Sequence, residues 1–311
     1  MRNGMRMLER LDSRRPSSLR VLTYHRIESE AGFRDQIAHL VAHYNPVNED
    51  AVVKAVLEGA DLPPRAVLVT FDDADCDFGD IAWPILRAAN VPVILFVPTA
   101  YPDQADRRFW WDELIDAVNE TEKEALIIDG LRIALSSPAE KRDAIRTLKG
   151  RVQQLEPAEI PAWIHDLREN AAVGESPPRV HSWEALRQLA AEGVSIGAHT
   201  RTHPFLDRLP AAELEEEIAG SVRELTEQLG RVPRSFAYPN GRTSPAAIEA
   251  VRAAGLALAF TTERGPNDTR NARPLELRRI NVGPRVGAGA LQARLIQSSP
   301  RFSRTNLEPA R

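Results

Sequence analysis

An α/β fold with a parallel sheet and covering helices is predicted by three features of this sequence. Apolar runs of strand length alternate with segments of helical period from residue 19 onward. Several of those runs stop at His or Asp residues, which is where strands of such sheets carry their sites. The alternation breaks only between 103 and 180, across a charge-rich stretch too long for an ordinary connection. At 311 residues the chain suits one large α/β domain with an insertion, or two smaller domains.

The elements follow in order. Residues 1–18 are arginine-rich but hold no apolar core of the signal-peptide kind, so they read as a flexible basic arm. The expected location is the cytoplasm, with attachment to a membrane surface through that arm as the alternative. Residues 19–23 (LRVLT) read as a buried strand ending at Tyr24-His25-Arg26. Phe33, Ile37, Leu40 and Val41 fall at helical spacing and place a helix over 33–43, with a second over 49–58. Pro63-Pro64 introduce a strand at 66–71 (AVLVTF), stopped by Asp72-Asp73. A helix over 81–89 tolerates Pro84 only in its first turn. Residues 91–97 (VPVILFV) form the next strand.

The insertion, 103–180, holds Phe109-Trp110-Trp111-Asp112 and helical patterns near 112–119, 138–154 and 157–169. A hairpin is expected at 126–133, with Asp-Gly at its turn. The whole reads as a helical lid or a dimer element, so a homodimer through it is one expected assembly. The α/β pattern then resumes. A helix over 183–191 has Ser182 as N-cap and Gly193 as C-cap. Strand 194–198 runs into His199. The helix over 210–230 places Leu214, Ile218, Val222, Leu225 and Leu229 on one face. Strand 235–238 ends at Pro239-Asn240-Gly241, helix 244–254 follows, and strands are expected at 256–261 and 277–282. The α/β segments are thus 19–102 and 181–290, and 291–311 is a tail.

Composition narrows the class. Hydrophobic residues make up 43% and charged residues 27%, which argues against a disordered chain. Lys+Arg is 40 against Asp+Glu at 44, so no dominant nucleic-acid footprint is expected. No apolar run reaches the ~20 residues of a membrane helix, so no integral membrane segment is expected. The single cysteine, Cys76, excludes an intramolecular disulfide and any two-cysteine zinc site.

The chemistry collects at strand ends. His199 and His203 stand four residues apart, and Pro204 argues against a continuous helix through them. On a strand end and its following turn, both imidazoles can reach one metal ion. Asp72 and Asp73 end a buried strand, where two carboxylates are costly unless a cation, a donor or water offsets them. Neighbouring side chains on extended backbone point different ways, so one carboxylate can bind metal while the other faces substrate. Two histidines and one aspartate leave Zn²⁺ an open position. The competing reading is a solvated loop with the aspartates as helix caps.

Thr70-Phe71-Asp72-Asp73 resembles the TFDD signature of the polysaccharide deacetylase family, the NodB-homology domain. His199-Thr200-Arg201-Thr202-His203-Pro204 resembles its H-[ST]-x-x-H-P motif, and Phe236-Ala237-Tyr238-Pro239-Asn240-Gly241 is similar to its third motif. The resemblance covers 19–102 and 181–282. It implies a distorted (β/α)7-type barrel with a largely helical insertion, one divalent metal, and hydrolysis of an N-acetyl group on an amino sugar. Carried over by position, Asp73, His199 and His203 would be the metal ligands, with Zn²⁺ expected and Co²⁺ or Ni²⁺ also suited to such donors. Asp72 would be the general base, and a backbone amide near Asn240 would help hold the oxyanion.

The sequence also departs from the family pattern. Ala74 replaces a glycine after the aspartates, so the turn must accept a Cβ. Ala237 stands where many members keep an arginine beside the base. No histidine follows His203, where many members place their general acid. Thr23-Tyr24-His25-Arg26 resembles the early motif of members with circularly permuted motif order, which makes His25 the expected general acid. Arg279 is the expected neighbour of Asp72. Tyr238 is expected to bind substrate. Trp110 and Trp111 would either stack on a sugar or anchor the insertion.

The expected function is a metal-dependent deacetylase acting on an oligosaccharide, a polysaccharide or a glycan precursor. Its competitors are a catalytically inactive carbohydrate-binding scaffold and a metal-dependent hydrolase of a non-sugar amide.

Overall fold

Apolar runs become strands in this protein because both of their faces are covered. The structure is a computed structural model and describes residues 17–174, 176–283 and 286–297. β1 (Ser18–Tyr24) leads through α1 (Glu30–His43), β2 (Asn45–Pro46) and α2 (Glu49–Leu57) to β3 (Ala66–Phe71). A π-helical turn, Phe78–Ala82, continues into α3 (Trp83–Ala88), and β4 (Val93–Val97) follows. Next come α4 (Trp110–Glu120), β5 (Ala125–Ile128), β6 (Leu131–Ala134), α5 (Pro138–Val152) and α6 (Ile160–Ala171). The remaining elements are α7 (Trp183–Ala191), β7 (Ser195–Ala198), α8 (Ala211–Leu229), β8 (Ser235–Ala237) and α9 (Pro245–Ala253). The last are β9 (Leu258–Phe260), β10 (Asn267–Asp268), β11 (Ile280–Asn281) and α10 (Ala288–Gln297).

The described residues divide into two compact units: those before and after the stretch 104–179, and those of that stretch itself. In the first, β1, β3, β4, β7, β8 and β9 pair side by side, all parallel. Residues 277–281 join the two ends of this row. Leu277 bridges Phe260 of β9, and β11 pairs with Leu22 and Thr23 of β1. This is the distorted barrel-type α/β fold that the motifs imply. Its distortion lies in the late strands: β8 and β9 have 3 residues each and β11 has 2.

Period-two alternation separates the two faces. Leu22, Tyr24, Val67, Val69, Phe71, Leu95 and Val97 pack with Phe33 and Ile37 of α1 and Leu214, Ile218 and Leu225 of α8. Leu19, Val21, Leu68, Ile94, Phe96 and Phe260 form a second buried cluster. Two covered faces explain why β1, β3 and β4 read as continuous apolar runs. Helix starts follow the expected chemistry. Ser182 accepts from the Ala185 amide, and Ser29, Asn48 and Ser244 cap their helices in the same way.

Within residues 104–179, α4, α5 and α6 accompany the β5–β6 hairpin. Its turn residues Asp129 and Gly130 both have positive φ, as the Asp-Gly signal requires. Ser137 and Glu140 form a reciprocal capping box at the start of α5.

Boundaries differ where proline or short pairing intervenes. β4 begins at Val93 rather than 91, after Pro92, which has no amide to donate. The helix expected over 157–169 is a 3₁₀ turn, Pro157–Glu159, followed by α6. Only Ile280–Asn281 of the strand expected at 277–282 is regular. The tail expected from 291 is corrected by α10, which carries regular structure to Gln297. The reason is a missed helical spacing: Leu291 and Leu295 are both fully buried in the core. Buried Arg20 also donates its Nε to the Leu295 carbonyl at 3.1 Å. Of the expected basic arm, Ser18 belongs to β1 and residues 1–16 lie outside the described ones, as do residues 298–311.

Leu291→Ala should cost about 2–5 kcal/mol, the range for emptying a buried leucine site. Urea unfolding would measure it; a loss within about 0.5 kcal/mol, as at a surface position, would contradict the packing of α10.

Candidate active site

Three strand ends and one closing segment bring the chemistry together. Asp72 and Asp73 follow β3, His25 follows β1, His199 follows β7, and Arg279 precedes β11. Turning the chain sharply at these ends needs left-handed backbone. Asp73 (φ 73°), Ala74 (φ 53°), Thr200 (φ 66°), His203 (φ 60°) and Asn240 (φ 53°) all adopt it. Each such non-glycine residue costs of order 1–3 kcal/mol. Ala74 therefore does accept a Cβ in the turn where the family keeps glycine, and its side chain is fully buried.

Asp73, His199 and His203 converge. Asp73 Oδ1 lies 3.5 Å from His199 Nε2 and 3.5 Å from His203 Nε2. All three residues are buried, and their ligating atoms lie within 4.8 Å of one another. No other such group of three His, Cys, Asp or Glu side chains occurs among the described residues. Asp73 Oδ1 is buried and has no hydrogen-bond partner among them. Ligand atoms around a tetrahedral ion, with bonds of ~2.0–2.1 Å, stand roughly 3.3–3.4 Å apart. The donor set, the two distances from Asp73 and the orphaned carboxylate oxygen fit a divalent ion.

The ring of His199 is aimed by its far side, since Nδ1 lies 2.7 Å from the Ala237 carbonyl. Donation there leaves the Nε2 lone pair facing Asp73, the arrangement of metal-ligating imidazoles. Burial acts to lower the His199 imidazole, but Asp73, Asp72 and the Ala237 carbonyl outweigh it and raise it. A cation would meet the same attraction, since metal and proton compete for one lone pair. Burial dominates at His203 and lowers its imidazole to about 4. The Asp73 carboxyl is held well below its ordinary value: burial opposes this, but the facing imidazoles of His199, His203 and His25 outweigh it.

Asp72 is held differently. Arg279 grips it with both arms, Nη1 to Oδ1 at 2.7 Å and Nη2 to Oδ2 at 2.8 Å. Arg279 is itself 1% exposed, and its Nε donates to the Thr261 carbonyl at 2.9 Å. A guanidinium thus stands beside Asp72 although position 237 is alanine. Burial acts to raise the Asp72 carboxyl, but Arg279, His199 and His25 overcome it and keep it low. His25 Nε2 lies 3.9 Å from Asp72 Oδ2, and the His25 side chain is 43% exposed, so solvent reaches it.

Asn240 occupies the turn after β8, beside the Ala237 carbonyl that holds His199. The amides of Tyr238, Gly241 and Arg242 donate to the carbonyls of Phe260, Tyr238 and Pro239. Proline has no amide, so among these turn residues the Asn240 amide is the one those bonds leave over. Gly241 is needed here, because with φ at 67° an added Cβ would collide with Thr262. Tyr238, expected to bind substrate, faces the core. Its ring is fully buried, and its hydroxyl donates to the Leu275 carbonyl at 3.0 Å. Trp110 and Trp111 belong to the unit of residues 104–179. There the Trp111 ring stacks on Phe109 at 4.4 Å and meets Trp110 edge-on at 5.5 Å.

Two supports were not foreseen. Arg26 Nε pairs with Asp75 Oδ2 at 2.7 Å, tying the loop after β1 to the loop after β3. His181 Nε2 accepts from the Gly79 amide at 3.0 Å and fixes the π-helical turn. Arg26 follows His25 directly, which was the available signal; for His181 there was none.

Known proteins share this fold and parts of this sequence. The family model described as Polysaccharide deacetylase matches residues 147–259. The chain is 25% identical over 267 residues to the Poly-beta-1,6-N-acetyl-D-glucosamine N-deacetylase of Escherichia coli (strain K12), covering 78% of this chain and 34% of that one. It is 27% identical over 110 residues to YxkH of Bacillus subtilis (strain 168), covering 35% of this chain and 39% of that one. The chain therefore spans between a third and two fifths of these curated relatives. Two solved structures share the fold. The Streptococcus pyogenes deacetylase PplD, in complex with acetate, superposes with a TM-score of 0.62 at 18% identity, over 91% of this chain and 99% of that one. IcaB from Ammonifex degensii gives 0.61 at 21%, over 91% and 98%.

Arg279→Gln should destabilise the protein by about 3–5 kcal/mol at neutral pH, because it strands a buried carboxylate. Arg279 depresses the folded-state value of Asp72, so its stabilisation is full above the unfolded carboxylate value of about 3.9. It fades as pH falls below about 4, through the lower folded value. Urea unfolding of both proteins across this range checks it; a difference that does not change with pH would contradict the pairing.

Proposed function

Taking this chain as a member of the polysaccharide deacetylase family, we propose that it is a metal-dependent hydrolase that removes the N-acetyl group from an amino sugar in an oligosaccharide, polysaccharide or glycan precursor. One observation carries the reading. A buried Asp73–His199–His203 donor set, with Asp73 Oδ1 3.5 Å from each imidazole, stands beside a second buried carboxylate, Asp72, which is paired to an arginine instead. A scaffold that only bound carbohydrate would gain nothing from burying two carboxylates side by side. The E. coli relative is named for N-deacetylation of poly-N-acetylglucosamine, and the S. pyogenes structure holds acetate. Both names support an acetylated amino sugar as the substrate class.

In this reading Asp73, His199 and His203 hold the ion, with Zn²⁺ suited to the two imidazoles and one carboxylate. When bound, it supplies Lewis acidity for the acetyl carbonyl and for the attacking water. The protein's own groups do the rest. Asp72, ionised and oriented by both arms of Arg279, takes a proton from the attacking water as its oxygen bonds to the acetyl carbon. The Asn240 amide donates to the oxygen on which negative charge develops. His25, within 3.9 Å of Asp72 and open to solvent, gives a proton to the departing nitrogen as the C–N bond breaks. The products are acetate and a free amino sugar.

Two variants test the division of roles. His203→Ala should lose bound metal and acetate release together. Asp72→Asn should keep stoichiometric metal and lose at least about 10²-fold in kcat, the lower range for a general base. Metal analysis and acetate release from N-acetylated chitooligosaccharides and poly-N-acetylglucosamine would be the measurements. Full metal occupancy in His203→Ala, or a metal-loaded wild type inert on every N-acetyl sugar tried, would defeat the reading.

A further inference from the structure

The two imidazoles of the donor set are carried by a loop that cannot hold its own shape. Within residues 199–203, Thr200 and His203 are both at positive φ. Threonine is β-branched, and such a residue in left-handed backbone is a true outlier. Something outside the loop has to over-determine it.

That support is α8. Glu217, one residue of this long surface helix, accepts three bonds from the loop. The Arg201 amide donates to Oε2 at 2.9 Å, the Thr202 amide to Oε2 at 2.8 Å, and the Thr202 hydroxyl to Oε1 at 2.6 Å. Glu217 thus caps two consecutive loop amides lying between the two histidines. The Arg201 side chain runs back along the same helix, and its Nε donates to Glu224 at 2.8 Å. Gly220 makes the room for it, because a Cβ there would stand 2.6 Å from Arg201 Cδ. Inside the loop, the Thr200 hydroxyl accepts from the His203 amide at 3.0 Å. On its other side, the Thr99 and Ala100 amides donate to the Thr200 and Arg201 carbonyls.

We infer that Glu217 is a positioning residue for the donor set: by fixing the Arg201 and Thr202 amides, it holds both imidazoles facing Asp73, where a divalent ion would bind. The inference rests on the metal reading above and adds a residue that touches neither the ion nor the substrate. Its predicted effect lies on metal affinity. Without the carboxylate, the strained turn relaxes, and the ion must reorder the loop when it binds. Outer partners of ligating residues typically change metal affinity by about 10–100-fold.

The test uses the full chain, freed of metal, titrated with Zn²⁺ against a chelator and with Co²⁺ by its visible absorption. Glu217→Ala should weaken Zn²⁺ about 10–100-fold and alter the Co²⁺ spectrum. Glu217→Gln should restore most of both, because its carbonyl can still accept the two amides while the Thr202 hydroxyl turns to accept from the amide group. Glu215→Gln, at an exposed position of the same helix, should match wild type. If Glu217→Ala does not fold, Glu217→Met keeps the aliphatic stem in a helix and carries the same test. Equal affinity in wild type and the Ala or Met variant would overturn the inference while leaving the metal reading intact. No uptake by wild type would overturn both.

Discussion

Two adjacent buried carboxylates at the end of one strand are the constraint on which the rest of the site depends. Each ionised carboxyl removed from water costs several kcal/mol unless its neighbours compensate. Asp72 and Asp73 are successive residues, so the chain must point them apart and supply each with a different partner. Asp72 receives a guanidinium in a two-armed pair. Asp73 receives two imidazoles, and one of its oxygens is left without a hydrogen bond among the described residues. The left-handed backbone at Asp73 and Ala74 is the conformational cost of that divergence.

The sheet explains how such distant residues meet. β1, β3 and β7 are parallel strands, with β3 next to β1 and β4 between β3 and β7. Their carboxyl ends therefore face one way, and His25, Asp72 and His199 leave the sheet on the same rim. Arg279 arrives from the segment that joins β9 to β1, which places a cation under Asp72 from the closing side of the barrel. Ala237 offers no guanidinium, and its carbonyl aims His199 instead.

Much of this was legible in the residues. Strand-length apolar runs gave the parallel order because both faces of β1, β3 and β4 are buried. The His199/His203 spacing with Pro204 pointed to a strand end and turn, which is what the positive φ at His203 builds. Arg279 was reachable only through the absence of an arginine at 237. What stayed hidden was of another kind. Tyr238 sits inside a recognisable motif, yet its ring is part of the core, because motif membership does not reveal which way a side chain faces. α10 was hidden by a short apolar spacing next to a polar tail. Glu217 lies on a helix whose polar face reads like any solvated one, and nothing in its spacing betrays three loop donors.

On the proposed reading, Asp73, His199 and His203 hold a divalent ion while Asp72 stays off it. Anomalous diffraction at the zinc absorption edge, from crystals grown with Zn²⁺, tests this most directly. The expected result is one strong peak at bonding distance, ~2.0–2.2 Å, from Asp73 Oδ1 and both Nε2 atoms, with Asp72 still paired to Arg279. A peak ligated by Asp72, or a fully soaked crystal with no peak among these three residues, would contradict it.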